Sequence, residues 1–242
     1  MSRCPVLAGA VLWSFALGLG LGAAAHGQDT PTPKAKAKRA PDPSLAPIQD
    51  QPGLPRVLLI GDSISMGYTL AVREALAGKA NVHRPAENCG PTIRGIERLE
   101  NWLGAGHWDV IHFNFGLHDL RLDNGRHQVP LEQYEQNLRT MVARMKITGA
   151  TLIWCSTTPV PDTSTPPRRN TDVIAYNVVA EKIAKENNIR IDDLYAFALP
   201  RLSEIQRPSN VHFTPEGSKV LARQVAASIT EGLPSRVRPE SP

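Results

Sequence analysis

Arg56-Val57-Leu58-Leu59-Ile60-Gly61-Asp62-Ser63 is the stretch that decides the fold. Four aliphatic residues in a row, without polar alternation and closed by a glycine, form a strand buried on both faces. A parallel sheet covered by helices on each side buries a strand that way. Helical spacing follows over 66–77, then a short strand over 81–84. The same order repeats downstream. Trp108-Asp109-Val110-Ile111-His112-Phe113-Asn114 reads as a third strand stopped by Gly116. Leu131, Tyr134, Leu138, Met141, Val142 and Met145 recur at helical steps and end at Gly149. Thr151-Leu152-Ile153-Trp154-Cys155 is strand four, a helix covers 171–187, Ile189-Arg190-Ile191 is strand five, and a last helix covers 214–230. Strands alternating with helices predict an α/β, flavodoxin-like three-layer sandwich: a five-stranded parallel sheet with helices on both faces.

The flanks differ in kind. Residues 1–27 carry Arg3, a charge-free apolar run over 6–21 and small residues at Ala23, Ala25 and Gly27. That is an export signal, cut after Ala25 or Gly27, and it predicts a periplasmic or secreted protein with no stable membrane span. The competing reading is an uncleaved anchor, since the run approaches the ~20 residues that a bilayer needs. Residues 28–55 are rich in Pro, Lys and Ala and read as an extended linker. The folded domain is then 56–233 and the tail 234–242.

Composition excludes other classes. A net charge of +4 over 242 residues, evenly interspersed, is too small for a nucleic-acid footprint. Aromatic residues at 5% argue against a base-stacking platform. Three cysteines cannot staple a chain of this length, and Cys89 and Cys155 are expected as free buried thiols. The seven histidines have no metal-ligand spacing, so neither metal nor cofactor is expected.

In parallel sheets ligands sit beyond the carboxyl ends of the strands, so the chemistry is sought there. After strand one comes Gly61-Asp62-Ser63: a serine on a strand-to-helix turn either caps the helix or presents a nucleophilic hydroxyl. After strand two comes Asn88-Cys89-Gly90, whose glycine lets a backbone amide face the cleft. After strand three comes Gly116-Leu117-His118-Asp119, and after strand five Ser209-Asn210-Val211-His212 just ahead of the last helix. Arg94, Arg121 and Arg126 are candidate cleft cations.

These blocks resemble those of the SGNH hydrolases, also called GDSL esterases and lipases. Gly61-Asp62-Ser63 matches the first block, Gly90 the second, Gly116-x-His118-Asp119 the third, and Val211-His212-Phe213 with Pro215-x-Gly217 the fifth. The resemblance implies Ser63 as nucleophile and His212 as base, with an oxyanion hole made of the Ser63 and Gly90 amides and a third-block side chain. Two positions depart from the family pattern. His118 stands where the family has asparagine, and Ser209 where it has the aspartate that orients the base. A neutral imidazole can donate in place of an amide, with Asp119 or a backbone carbonyl fixing its tautomer. For His212 three arrangements stay open: orientation by Asn210, Ser209 or a backbone carbonyl; a displaced acid, Asp192 or Asp193; or an inactive site. Asp62 and Asp119 are supporting residues. The implied substrate is a small ester or acylated glycan. The competing functions are a non-catalytic glycan-binding module and an acyltransferase.

Overall fold

The computed structural model describes residues 41–234. The expected signal (1–27), the first part of the linker and nearly all of the tail lie outside those residues. In chain order the elements are β1 (Arg56–Ile60), α1 (Ser63–Ala75), β2 (Asn81–His83), α2 (Thr92–Leu103), β3 (Val110–Phe113), a hairpin of β4 (Leu122–Asp123) and β5 (Arg126–His127), and α3 (Leu131–Ile147). There follow β6 (Thr151–Cys155), α4 (Asn170–Glu186), β7 (Arg190–Asp192), the short helices α5 (Leu194–Ala198) and α6 (Leu202–Ile205), and α7 (Pro215–Gly232).

The predicted sheet is present, with order β2-β1-β3-β6-β7 and every neighbouring pair parallel. Its two faces bury different cores, which is why β1 and β6 are apolar on both sides. Leu58 and Ile60 join Leu99, Tyr134, Leu138 and Met141 beneath α2, α3 and α4. Val57 and Leu59 point the other way, to Tyr68, Val72, Leu221 and Val225 of α1 and α7. Cys89 and Cys155 are free and buried, as expected.

Three differences from the sequence reading have physical causes. The helix α2 was not anticipated, because its buried face includes Thr92 and Gly95, which do not read as apolar. Gly95 is there for contact: a Cβ would collide with the Met141 thioether of α3. The first helix begins at Ser63, three residues early, because Asp62 caps it. The last stretch of the presumed linker is part of the domain. Pro43–Leu45 forms a turn of 3-10 helix with Ser44 buried, and Asn81 accepts from the Gln51 amide at 2.8 Å. Asp50 pairs with Arg56 at 2.8 Å. Among the described residues no helix is long and apolar enough to cross a membrane.

Candidate active site

The site grows from the turn after β1. Asp62 Oδ1 accepts the Ile64 amide at 2.8 Å and so serves as the N-cap of α1. Ser63 is thereby the first helical residue and not the cap, and its hydroxyl is left for another partner. Its amide, at a helix N-terminus, has no acceptor among the described residues, and such a group welcomes developing negative charge. Arg84, only 8% exposed, braces the turn from behind. It donates to the Gly61 carbonyl at 3.1 Å, to Ser65 Oγ at 3.1 Å and to Thr69 Oγ1 at 2.9 Å. Nothing in the sequence distinguishes this arginine from the surface ones.

The partner of Ser63 is His212, whose Nε2 lies 2.9 Å from Ser63 Oγ. His212 sits two residues ahead of the Thr214 cap of α7. Its other ring nitrogen, Nδ1, lies 2.8 Å from Asn210 Oδ1, and the same oxygen accepts the His212 backbone N–H at 2.9 Å. A backbone N–H only donates, so the Asn210 atom facing it is the carbonyl oxygen. Nδ1 then carries the proton, and Nε2 presents a lone pair to the serine hydroxyl. Of the arrangements left open, this is the neutral carbonyl orienter. The displaced-acid alternative is not realised. Asp192 is buried against His112 Nε2 at 3.0 Å and Gln224 at 3.0 Å, while Asp193 accepts from Ser156 and the Ala196 amide. Ser209 is turned away, its Oγ accepting from Thr163 at 3.1 Å.

The expected oxyanion donors fare unequally. Gly90 holds φ +62, a conformation that favours glycine. Its amide, expected to face the cleft unengaged, donates to Asn88 Oδ1 at 2.9 Å in an Asx turn. His118 is half-buried, and its ring has no hydrogen-bond partner among the described residues. The expectation that Asp119 fixes its tautomer is overturned. Asp119 is fully buried and accepts the Thr92 amide at 2.8 Å and the Thr92 hydroxyl, tying the His118 turn to the start of α2. Burial pushes the Asp119 carboxyl up to about 6, and its Oδ2 has no partner.

The electrostatics favour the neutral form of both imidazoles. Burial lowers the pKa of His118; Asp62 opposes this, while Arg168, Arg121 and His212 add to it. Burial likewise lowers that of His212, again against Asp62 and with Arg207 and Arg168. Of the candidate cleft cations, Arg94 is neutralised by Glu87 and Arg121 by Asp123 at 2.7 Å. Arg126 lies exposed on the β4–β5 hairpin.

Beside the turn is a small cavity lined by Asp62, Ile64, Asn114, Leu117, Thr157 and Thr158, of about 10 Å3, room for about one water-sized group. One buried group, His112, Cys155 and Asp192, has donor atoms within 4.8 Å of one another. Its carboxylate already bonds His112 and Gln224, so these side chains form a hydrogen-bonded brace between β3, β7 and α7.

A hydroxyl held by a tautomer-locked imidazole at the carboxyl end of a parallel sheet is the machinery of acyl transfer. The model of the GDSL-like lipase/acylhydrolase family matches residues 59–220, which include the Ser63 turn and the His212 loop. The chain belongs to that family. This GDSL-type hydrolase has the SGNH fold, as solved structures show. A lipase/acylhydrolase from Enterococcus faecalis superposes with TM-score 0.65 at 22% identity, over 76% of this chain and 100% of that one. An acetylxylan esterase from Geobacillus stearothermophilus gives 0.61 at 21%, over 75% and 97%. The acetyl xylan esterase AlAXEase gives 0.62 at 17%, over 72% and 99%. No curated protein matches the chain.

Proposed function

We propose that this hydrolase is exported and removes a small acyl group, acetyl above all, from a carbohydrate through an acyl-enzyme on Ser63. The observation that carries the reading is the 2.9 Å contact between Ser63 Oγ and a His212 ring whose Nδ1 proton is held by Asn210. In the first step Ser63 Oγ attacks the ester carbonyl carbon as its proton passes to His212 Nε2. The oxyanion is received by the Ser63 amide, by His118 and by the Gly90 amide, which must share its N–H between Asn88 Oδ1 and the oxyanion or give up the bond to Asn88. The imidazolium then gives that proton to the leaving alkoxide oxygen as the C–O bond breaks. Water then attacks the acyl carbon as its proton passes to His212, and the imidazolium returns that proton to Ser63 Oγ as the acyl C–O bond breaks, releasing the carboxylic acid.

Two structures of similar fold are named as acetylxylan esterases, which supports a glycan as the alcohol side. Export rests on residues 1–27. A binding module has no use for a hydroxyl delivered to a base in this way. The test is turnover of p-nitrophenyl acetate and of an acetylated xylo-oligosaccharide by wild type and by Ser63→Ala. Loss of both activities in a folded variant supports the reading. Activity, or phosphonate labelling, that survives Ser63→Ala overturns it.

A further inference from the structure

The turn that carries His118 is held by a residue outside all the recognised blocks. Arg168, at the end of the proline-rich loop, is 5% exposed, and no carboxylate lies within ion-pair distance of it among the described residues. Burying a guanidinium without a counter-ion is costly, and its pKa is lowered by that desolvation. The compensation is a set of backbone contacts. Arg168 Nε donates to the Leu117 carbonyl at 2.7 Å and Nη1 to the Pro166 carbonyl at 3.1 Å. At the other end of the same turn, the Leu122 amide donates to the Pro167 carbonyl at 3.0 Å. The Pro167-Arg168 step thus grips 117–122 at both ends, and His118 stands between the grips. Within the turn, Arg121 N donates to the His118 carbonyl at 3.2 Å.

We propose that Arg168 is a positioning residue for ester hydrolysis: its guanidinium fixes the 117–122 turn, and so fixes where the His118 ring stands relative to the Ser63 hydroxyl. The inference rests on the reading of His118 as an oxyanion donor. A planar fork is needed, because two carbonyls in different loops must be met from one rigid group; a lysine ammonium supplies the charge without that geometry. The same charge helps keep the two histidines neutral. Asp62 and Arg168 act on both rings, Arg121 and His212 on His118, and Arg207 on His212.

The experiment compares Arg168→Lys and Arg168→Gln, each alone and combined with His118→Ala, after thermal melts confirm folding. A misplaced donor costs about 10- to 100-fold. Both single variants are expected to lose kcat on that scale with KM within about twofold of wild type. In the His118→Ala background the same changes should cost less than about twofold more, because the residue they position is gone. The acid limb of the kcat/KM profile should move to higher pH in Arg168→Gln, where a cation is lost, and stay in place in Arg168→Lys. Losses that multiply in the double variants, or a folded Arg168→Lys with wild-type kcat, overturn the proposal. Should Arg168→Gln not fold, Arg168→Lys decides alone. NMR of the His118 ring supplies a readout without turnover. Displaced or broadened ring resonances in Arg168→Lys support the clamp, and unchanged ones refute it, even if the wild type cleaves no ester and the functional reading falls.

Discussion

Asn210 Oδ1 accepts two hydrogen bonds from one residue, the backbone N–H of His212 at 2.9 Å and its Nδ1 at 2.8 Å. The backbone bond fixes which end of the amide faces the ring, and the amide fixes the ring. A neutral carbonyl thus does the orienting work of a carboxylate, but it offers the imidazolium less charge stabilisation. The base stays deprotonated at a lower pH and is weaker for it.

Asn210→Asp should therefore raise the His212 pKa, since an anion beside Nδ1 favours the protonated ring, acting with Asp62 and against burial, Arg207 and Arg168. The acid limb of kcat/KM should move to higher pH, with kcat above that limb equal to wild type or higher. Asn210→Ala should leave the limb nearly in place and lower kcat by about tenfold, the worth of about 1.4 kcal/mol of lost orientation. A pH–rate profile of the three proteins checks both.

Ser209→Asp, the change that restores the family residue, should do little by itself. Ser209 faces Thr163, and the Nδ1 position is occupied by Asn210. Its positive φ of 51° is one that aspartate tolerates at least as well as serine. The expected change in kcat is less than about threefold, smaller than 1 kcal/mol. In the Asn210→Ala background the aspartate should instead recover activity, because the ring is then free to accept a new partner.

His118→Ala should lower kcat by about 100-fold while leaving KM within about threefold, the signature of a donor used in the transition state. Steady-state kinetics on p-nitrophenyl acetate give both constants. A rise in KM with kcat unchanged would assign the ring to substrate binding instead.

Asp119 makes a stability prediction with a definite sign. Its folded pKa of about 6 lies above the ordinary 3.8, so the folded state holds the proton more tightly than the unfolded one. That contribution is complete below about pH 4 and is lost as the pH rises through about 6, amounting to about 3 kcal/mol. Asp119→Asn keeps an acceptor for Thr92 and removes the buried charge. Urea unfolding should show the variant gaining on wild type at pH 8, with the gap narrowing as the pH falls to about 4.

Much of the site was legible because strand ends announce themselves. Continuous apolar runs located β1, β3 and β6, and the residues after them were therefore the ones to inspect. Ser63 and His212, 149 residues apart in sequence, meet as expected. What stayed hidden was settled by packing. Thr92 is drawn into the buried face of α2 by Asp119 and Gly95 lies there because Met141 approaches it, and no periodicity of apolar residues marks such a face. Arg84 and Arg168 are buried by their contacts with carbonyls, and no residue type records in advance which arginine will be. The Asn88 bond to the Gly90 amide is of the same kind: the Asn-Cys-Gly spelling permits an open amide or an Asx turn, and the turn is formed.

The two cores on either side of the sheet divide the site between them. Ser63 and His212 stand at the N-terminal ends of α1 and α7, which share one layer, whereas Gly90 leads into α2 of the opposite layer and Asp119 ties the His118 turn to the start of that helix. Partial softening of the α2–α3 side in dilute denaturant would then uncouple the two halves of the reaction centre. The hydroxyl–imidazole couple would survive in an enzyme that had lost its grip on the oxyanion, so turnover would fade at a lower urea concentration than the amide-exchange protection of α1 and α7.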